Sequence, residues 1–332
     1  MALLIALLGL LGLLDGCVGS PAGQTQVSAS ATVSTRSSGN GTCGWAGAPP
    51  RRYDHVLWVV LENHSYGELI GRPGSKAATR SPYLNKLARR CGLATNYHAL
   101  THPSLPNYLA LVSGSTGGVT RSCTPARCPQ RRSTLFDQLR TQGLGWRVYA
   151  EGMPSPCHRS DSGRYVVRHN PATYFPSVAD CATHDVPLGT SSRGRLVDDL
   201  AADRLAAFSI VVPDQCHNSH DCPISSGDRW LSQLVPRILA SPAYRAGRTA
   251  LVVTWDEGRG GVAGQDCRAD PDRSCHIATV LVSPTTRPGT RGGKRYDHFS
   301  LLAATSRMLG VPRPLRRAGD PSTRDLRPAF GL

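Results

Sequence analysis

One short polar turn in this chain has the residue types for phosphate chemistry: Thr101-His102-Pro103-Ser104-Leu105-Pro106-Asn107-Tyr108, opening into the apolar run Leu109-Ala110-Leu111-Val112. Proline is tolerated in a first helical turn because its missing N–H would have no partner there. Ser104 is therefore expected at a helix N-terminus, where unpaired amides and the positive end of the helix dipole receive anions. A hydroxyl so placed reads as the nucleophile of a phosphate-ester hydrolase. Two acidic pairs go with it. Glu62-Asn63 and Asp256-Glu257 each follow an apolar run of strand type, His55 to Leu61 and Thr249 to Trp255. Both should emerge at the carboxyl end of a strand, where open α/β sheets place their ligands. Neighbouring carboxylates repel unless something positive lies between them. Glu62, Asn63, Asp256 and Glu257 are accordingly expected to hold a divalent metal ion that lowers the pKa of Ser104 and neutralises phosphoryl oxygens.

Three further segments offer imidazoles. Pro213-Asp214-Gln215-Cys216-His217-Asn218-Ser219-His220-Asp221-Cys222 follows the apolar run Phe208 to Val212, and a Cys216–Cys222 bridge would pin it as a loop. His220 and Asp221 are the preferred functional pair there, ahead of His217 and Asp214. His298, in Tyr296-Asp297-His298, precedes an amphipathic helix and suits a second metal ligand or the acid that protonates the leaving oxygen. His169, in His169-Asn170-Pro171, is a candidate for holding substrate oxygens, as are Asn107 and Asp221. Singly, each has an ordinary structural explanation: an N-cap serine, a strand-ending turn, a surface histidine. Their combination favours chemistry.

The elements that must position these residues alternate. Strands are expected at Val56 to Leu61, Trp146 to Glu151, Phe208 to Val212, Thr249 to Trp255 and Ile277 to Ser283, all rich in β-branched or aromatic residues. Helical patterns fall at Tyr83 to Arg90, from Ser133 to Leu139, and over Trp230 to Leu239 and Ser300 to Leu309. Alternation predicts an α/β fold with a mostly parallel sheet and helices on both faces. The continuous apolar strands fit burial from both sides. Long irregular stretches at Gly114 to Arg132, Met153 to Arg193 and Gly258 to Cys275 enclose or border cysteines, so they are expected to be stapled, functional, or both.

Composition sets the setting. The 332-residue chain has a formal charge of +15, carried almost wholly by arginine. That balance favours anionic partners such as phosphorylated substrates or anionic lipid. No aromatic interleaving or basic helix points to nucleic-acid readout, so nucleic acid is not an expected partner. Met1 to Leu14 has the length of a signal-peptide core and falls short of the ~20 residues needed to span a bilayer. Leu14-Asp15-Gly16-Cys17 resembles a bacterial lipobox, so residues 1–17 are read as a signal peptide whose Cys17 would carry a lipid anchor. Residues 18–50, rich in Ser, Thr, Gly and Ala, read as a flexible tether, and residues 51–332 as one catalytic domain. Setting Cys17 aside, the 11 cysteines leave an even number, as a disulfide framework in an exported protein requires. Neighbours suggest Cys43–Cys91, Cys123–Cys128, Cys157–Cys181, Cys216–Cys222 and Cys267–Cys275. Zinc knuckles are not expected because no C-x-x-C repeat appears.

Taken together, Glu62-Asn63-His64-Ser65, His102-Pro103-Ser104-Leu105-Pro106-Asn107-Tyr108-Leu109-Ala110-Leu111, His220-Asp221, Thr254-Trp255-Asp256-Glu257 and His298 resemble the bacterial phosphoesterase family. That family holds secreted acid phosphatases, including those of the SapM type, and phospholipases C within the alkaline phosphatase superfamily. The matching motifs recur in order from about Tyr53 to Leu309. The resemblance implies a three-layer α/β/α sandwich of alkaline phosphatase type. It places the nucleophile on Ser104, the acidic metal positions on Glu62, Asn63, Asp256 and Glu257, and the later active-site residues on His220-Asp221 and His298. The activity implied is an exported, monomeric phosphomonoesterase of acid phosphatase type, working through a phosphoserine, with phosphoinositide among its substrates. Alternatives are a phospholipase C acting on a diester and a surface lipoprotein that binds anions without turnover. G-x-S-x-G, H-E-x-x-H and P-loop signatures are absent.

Overall fold

A computed structural model describes residues 41–332. The signal peptide and lipobox read in residues 1–17, and the tether as far as residue 40, lie outside the described residues. Nine strands form one sheet: β1 (His55–Leu61), β2 (Gly92–His98), β3 (Trp146–Ala150), β4 (Asp185–Pro187), β5 (Phe208–Val212), β6 (Thr249–Trp255), β7 (His276–Val282), β8 (Thr290–Gly292) and β9 (Tyr296–Asp297). The order is β4-β3-β5-β1-β6-β7-β2-β8, with β9 also on β2. Neighbours run parallel except where β7 meets β6 and β2. The sheet is therefore mixed but mostly parallel, an α/β fold of the expected class.

The central strand β1 explains why. Val56 to Leu61 are all fully buried, so neither face of β1 meets water. Successive side chains point to opposite faces. On one face Trp58 Nε1 donates to Thr305 Oγ1 of the helix His298–Met308 at 3.1 Å. On the other, Leu61 packs under Gly227 of the helix Ile224–Ala240. Helices thus cover both faces, which only near-continuous apolar strands can support.

The register places the chemistry. Leu61 pairs with Trp255 at the carboxyl ends of β1 and β6, and the Asp256 N–H donates to the Leu61 carbonyl at 3.1 Å. Glu62 and Asp256 therefore leave the sheet side by side. The Glu62 N–H donates to the Asn218 carbonyl at 3.2 Å, tying the loop after β5 to the same edge. β2 runs in the direction of β6 and delivers residues 99–103 to that edge, ahead of the helix Ser104–Ser113.

Strand β2 escaped the sequence pattern. Gly-Leu-Ala-Thr-Asn-Tyr-His has no β-branched run, and a bulge between Ala94 and Tyr97 leaves Thr95 and Asn96 half-buried. All five expected disulfides form. Cys43 is buried against the domain, and the Tyr244 hydroxyl donates to the Thr42 carbonyl at 2.6 Å. Packing onto the domain thus reaches back into the stretch read as tether.

Candidate active site

Ser104 is the first residue of its helix, with Pro103 at the N-cap and no side chain capping the first turn. The amides of that turn are thus left for another acceptor. Ser104 is 3% exposed, so its hydroxyl is held by protein rather than by bulk water. Its Oγ donates to Glu62 Oε1 and lies 3.4 Å from Glu257 Oε1. Glu257 is steadied on its other oxygen by His102 Nδ1 at 3.1 Å and by Asn107 Nδ2 at 3.3 Å. His102 continues outward through Nε2 to Ser274 Oγ at 2.9 Å. A Cβ at Gly261 would sit 2.0 Å from the His102 ring, so only glycine admits the imidazole there.

The second oxygen of Glu62 faces His169 Nε2 in close contact, but the two are not aligned as a hydrogen bond. His169 is fully buried and stacks on Tyr108 with ring centroids 5.1 Å apart. Asp256 Oδ1 accepts the Glu257 N–H at 2.7 Å, while Oδ2 has no partner. Ligand atoms of Glu62, His169 and Asp256 all lie within 4.8 Å of one another. Buried polar atoms without partners are costly, and here three residues aim theirs at one point. Two carboxylate oxygens and an imidazole nitrogen make a donor set that fits a divalent cation.

The electrostatics agree. Burial drives Asp256 well above the usual carboxylate range, reinforced by the negative charges of Glu62 and Glu257. Burial likewise raises Glu257, opposed by its hydrogen bond to His102. Burial would also raise Glu62, but His169, Arg168 and the Ser104 hydroxyl outweigh it and hold that carboxyl at about 2. Burial lowers His169, which favours the neutral ring that binds metals. Without a cation, Asp256 must keep its proton.

The remaining expected residues are spread around this centre. Asn107 is fully buried, and its Oδ1 accepts the Leu100 and Thr101 N–H groups at 3.0 and 3.3 Å, fixing the turn that presents Ser104. His298 is buried beneath the site, with Nε2 2.6 Å from the Asp256 carbonyl and Nδ1 3.2 Å from the Tyr97 hydroxyl. Burial brings its pKa down to about 4. Asn63, His220 and Asp221 line a cleft of about 560 Å³ at the rim, where His220 Nδ1 pairs with Asp221 at 2.6 Å. His217 turns away to Glu151, at 2.9 Å. Two neighbours carried no sequence signal. Arg168 is half-buried and near enough to lower Glu62, and Ser274 buttresses His102 from a segment closed by the Cys267–Cys275 bridge. Neither residue type is unusual in a loop, and only the fold brings them in.

Known proteins share this framework. Residues 74–312 match the model of the Phosphoesterase family. A phosphatidylinositol-3-phosphatase of Mycobacterium tuberculosis is 30% identical over 281 residues, covering 81% of this chain and 84% of that protein. A phosphate-repressible acid phosphatase of Penicillium chrysogenum is 28% identical over 266 residues, or 78% of this chain and 60% of the fungal enzyme's length. Among solved structures, an alkaline phosphatase superfamily protein of Vibrio parahaemolyticus superposes with a TM-score of 0.55 at 13% identity, covering 83% of this chain and 73% of that one. The matched span takes in the Ser104 turn, the Asp256-Glu257 pair and His298, all placed at or under one sheet edge. This chain is a phosphoric ester hydrolase and belongs to the Phosphoesterase family.

Proposed function

We propose that the protein is an exported phosphomonoesterase in which Ser104 is phosphorylated and then regenerated by water. The observation that carries this reading is the Ser104 hydroxyl at an uncapped helix N-terminus, donating to a buried carboxylate amid a convergent set of unpartnered ligand atoms. Glu62, His169 and Asp256 would hold a divalent cation, with Asn63 and Glu257 as further candidates, and its charge would let the carboxylates ionise together and stabilise a serine alkoxide.

Each protein group then has a task. Glu62 orients the Ser104 hydroxyl, whose proton passes to solvent as Oγ attacks phosphorus. The Oγ–P bond forms, the ester P–O bond breaks, and the leaving alcohol takes a proton. We assign that donation to His220, a reading supported by its position in the open cleft with Asp221 against its ring. Helix amides would receive the phosphoryl oxygens as charge builds on them, with Arg168 adding positive charge nearby. Water then attacks the phosphoserine, releasing inorganic phosphate and restoring the hydroxyl. His298 acts through the Asp256 backbone, and Asn107 through the turn and Glu257, so both are positioning residues. His169 belongs with the metal rather than with substrate oxygens.

The charged and polar groups Asn63, His64, Glu68, Arg80, His220 and Asp221 in the cleft lining support a phosphomonoester as the substrate. A phosphoinositide headgroup fits this lining, and the mycobacterial relative is named for such a substrate. Five disulfides support an oxidising, extracytoplasmic setting. Among the described residues no helix is long and apolar enough to cross a membrane. The decisive experiment is mass spectrometry of acid-quenched enzyme after brief exposure to p-nitrophenyl phosphate, beside the turnover of Ser104→Ala. A phosphate on Ser104 and a loss of at least about 10³-fold in the variant are expected. An unmodified serine together with undiminished turnover would sink the mechanism.

A further inference from the structure

The cleft at the rim of the site is lined by two arginines that no carboxylate among the described residues pairs with. Arg80, at the end of the helix Lys76–Arg80, and Arg259, three residues beyond Asp256, both line it. Among the described residues neither guanidinium lies within 4.0 Å of a carboxylate oxygen. The carboxylates that line the cleft are already engaged. Glu68 accepts the Ser65 N–H at 2.9 Å and lies 3.4 Å from His64 Nδ1, and Asp221 holds His220. Pro223, Ile224 and Ser225 at the start of the helix Ile224–Ala240 form part of the wall, and that helix has neither a capping side chain nor an acidic residue in its first turn. These features leave the two guanidinium groups without a carboxylate partner in the cleft. Its volume, about 560 Å³, is that of a small-molecule site rather than a single-ion site. It begins at Asn63, one residue from the carboxylate that takes the Ser104 hydroxyl.

We propose that Arg80 and Arg259 form a second anion subsite, so that the enzyme prefers phosphomonoesters carrying another phosphate or phosphodiester group on the same small frame. The inference rests on the hydrolase reading above and adds the class of substrate. Arginine suits the task because its planar fork pairs with two phosphate oxygens at once. A monoester held at the helix terminus of Ser104 would place its second anion in the cleft, where it would meet both guanidinium groups.

The test compares release of phosphate from fructose 6-phosphate and fructose 1,6-bisphosphate, with kcat and KM measured separately, in the wild type and in the Arg80→Gln/Arg259→Gln double variant. Both side chains are exposed, so folding is not at stake. The wild type is expected to favour the bisphosphate by at least about tenfold in kcat/KM after the statistical factor for two esters, through a lower KM. The double variant should bring that preference to within about twofold. Equal use of both substrates by the wild type, or a preference that survives in the double variant, overturns the subsite. Should neither fructose ester release phosphate, calorimetric binding of fructose 1,6-bisphosphate to the two proteins decides the subsite, equal affinity overturning it, while failure to turn over p-nitrophenyl phosphate overturns the phosphomonoesterase reading instead. Comparing short-chain phosphatidylinositol 3-phosphate with its deacylated headgroup separates a lipid source of the second phosphate from a soluble one: the subsite requires both to depend on the two arginines.

Discussion

At the scale of single residues, the most telling atom is Asp256 Oδ2, buried and without a partner. Such an oxygen is tolerable as part of a neutral acid or beside a cation, and the two conditions have opposite consequences for stability. In the metal-free protein the raised pKa of Asp256 means that the folded state holds a proton the unfolded chain gives up. Its contribution is fully present below the unfolded value of 3.8 and is lost as pH rises toward the raised one. Thermal melts of chelated protein should therefore fall with rising pH, and Asp256→Asn should flatten part of that slope. Adding Mn²⁺ or Zn²⁺ at about a hundred times its dissociation constant should stabilise the wild type by about 2.7 kcal/mol and Asp256→Asn far less. Equal stabilisation of both proteins would place the cation elsewhere. Glu62 and Asp256 were legible because each ends an apolar run. His169 was visible only as an imidazole, since its loop lies more than a hundred positions from Glu62.

At the scale of elements, the site depends on segments that have no regular structure of their own. The stretch carrying His169 is fastened from behind by Asn170, whose Nδ2 donates to both oxygens of Asp185 at the start of edge strand β4, at 2.8 and 3.0 Å. Burial pushes Asp185 up to about 7 despite that hydrogen bond. This group too stabilises the fold fully below 3.8, and its contribution is lost between there and about 7. Asp185→Asn should remove a share of the stability decline over that interval, read by urea denaturation at pH 4.5 and pH 7.5. An unchanged decline would show that Asp185 is not the titrating group. The longer helices and five of the strands could be read from periodicity, because amphipathic spacing is written locally, whereas short helices such as Arg195–Ala201 were not. Strand β2 could not, since its partners β7, β8 and β9 come from distant sequence and supply the pairing that its own composition does not advertise.

At the scale of the whole molecule, disulfides bind the loops and the N-terminal approach to the sheet. Loop-closure entropy predicts unequal effects. The Cys43–Cys91 bridge spans 48 positions and should contribute about 4 kcal/mol, against about 2 kcal/mol for Cys216–Cys222, which spans 6. Paired serine replacements followed by urea denaturation should return that order. The short bridge should matter more for turnover than for stability, because it shapes the loop bearing His220 and Asp221. The sequence by itself determined the α/β class, the turn that opens the helix at Ser104, the two acidic strand ends and the short cysteine pairs, because each is written locally; Cys43–Cys91 and Cys157–Cys181, 48 and 24 positions apart, followed only from pairing cysteines in chain order. Only the tertiary structure decided that His169 meets Glu62, that His298 sits behind Asp256 rather than in the cleft, that Arg168 acts on Glu62, and that Arg80 and Arg259 line the same cleft as His220. Contacts between distant segments follow from sheet order and register, and no local pattern of side chains specifies those.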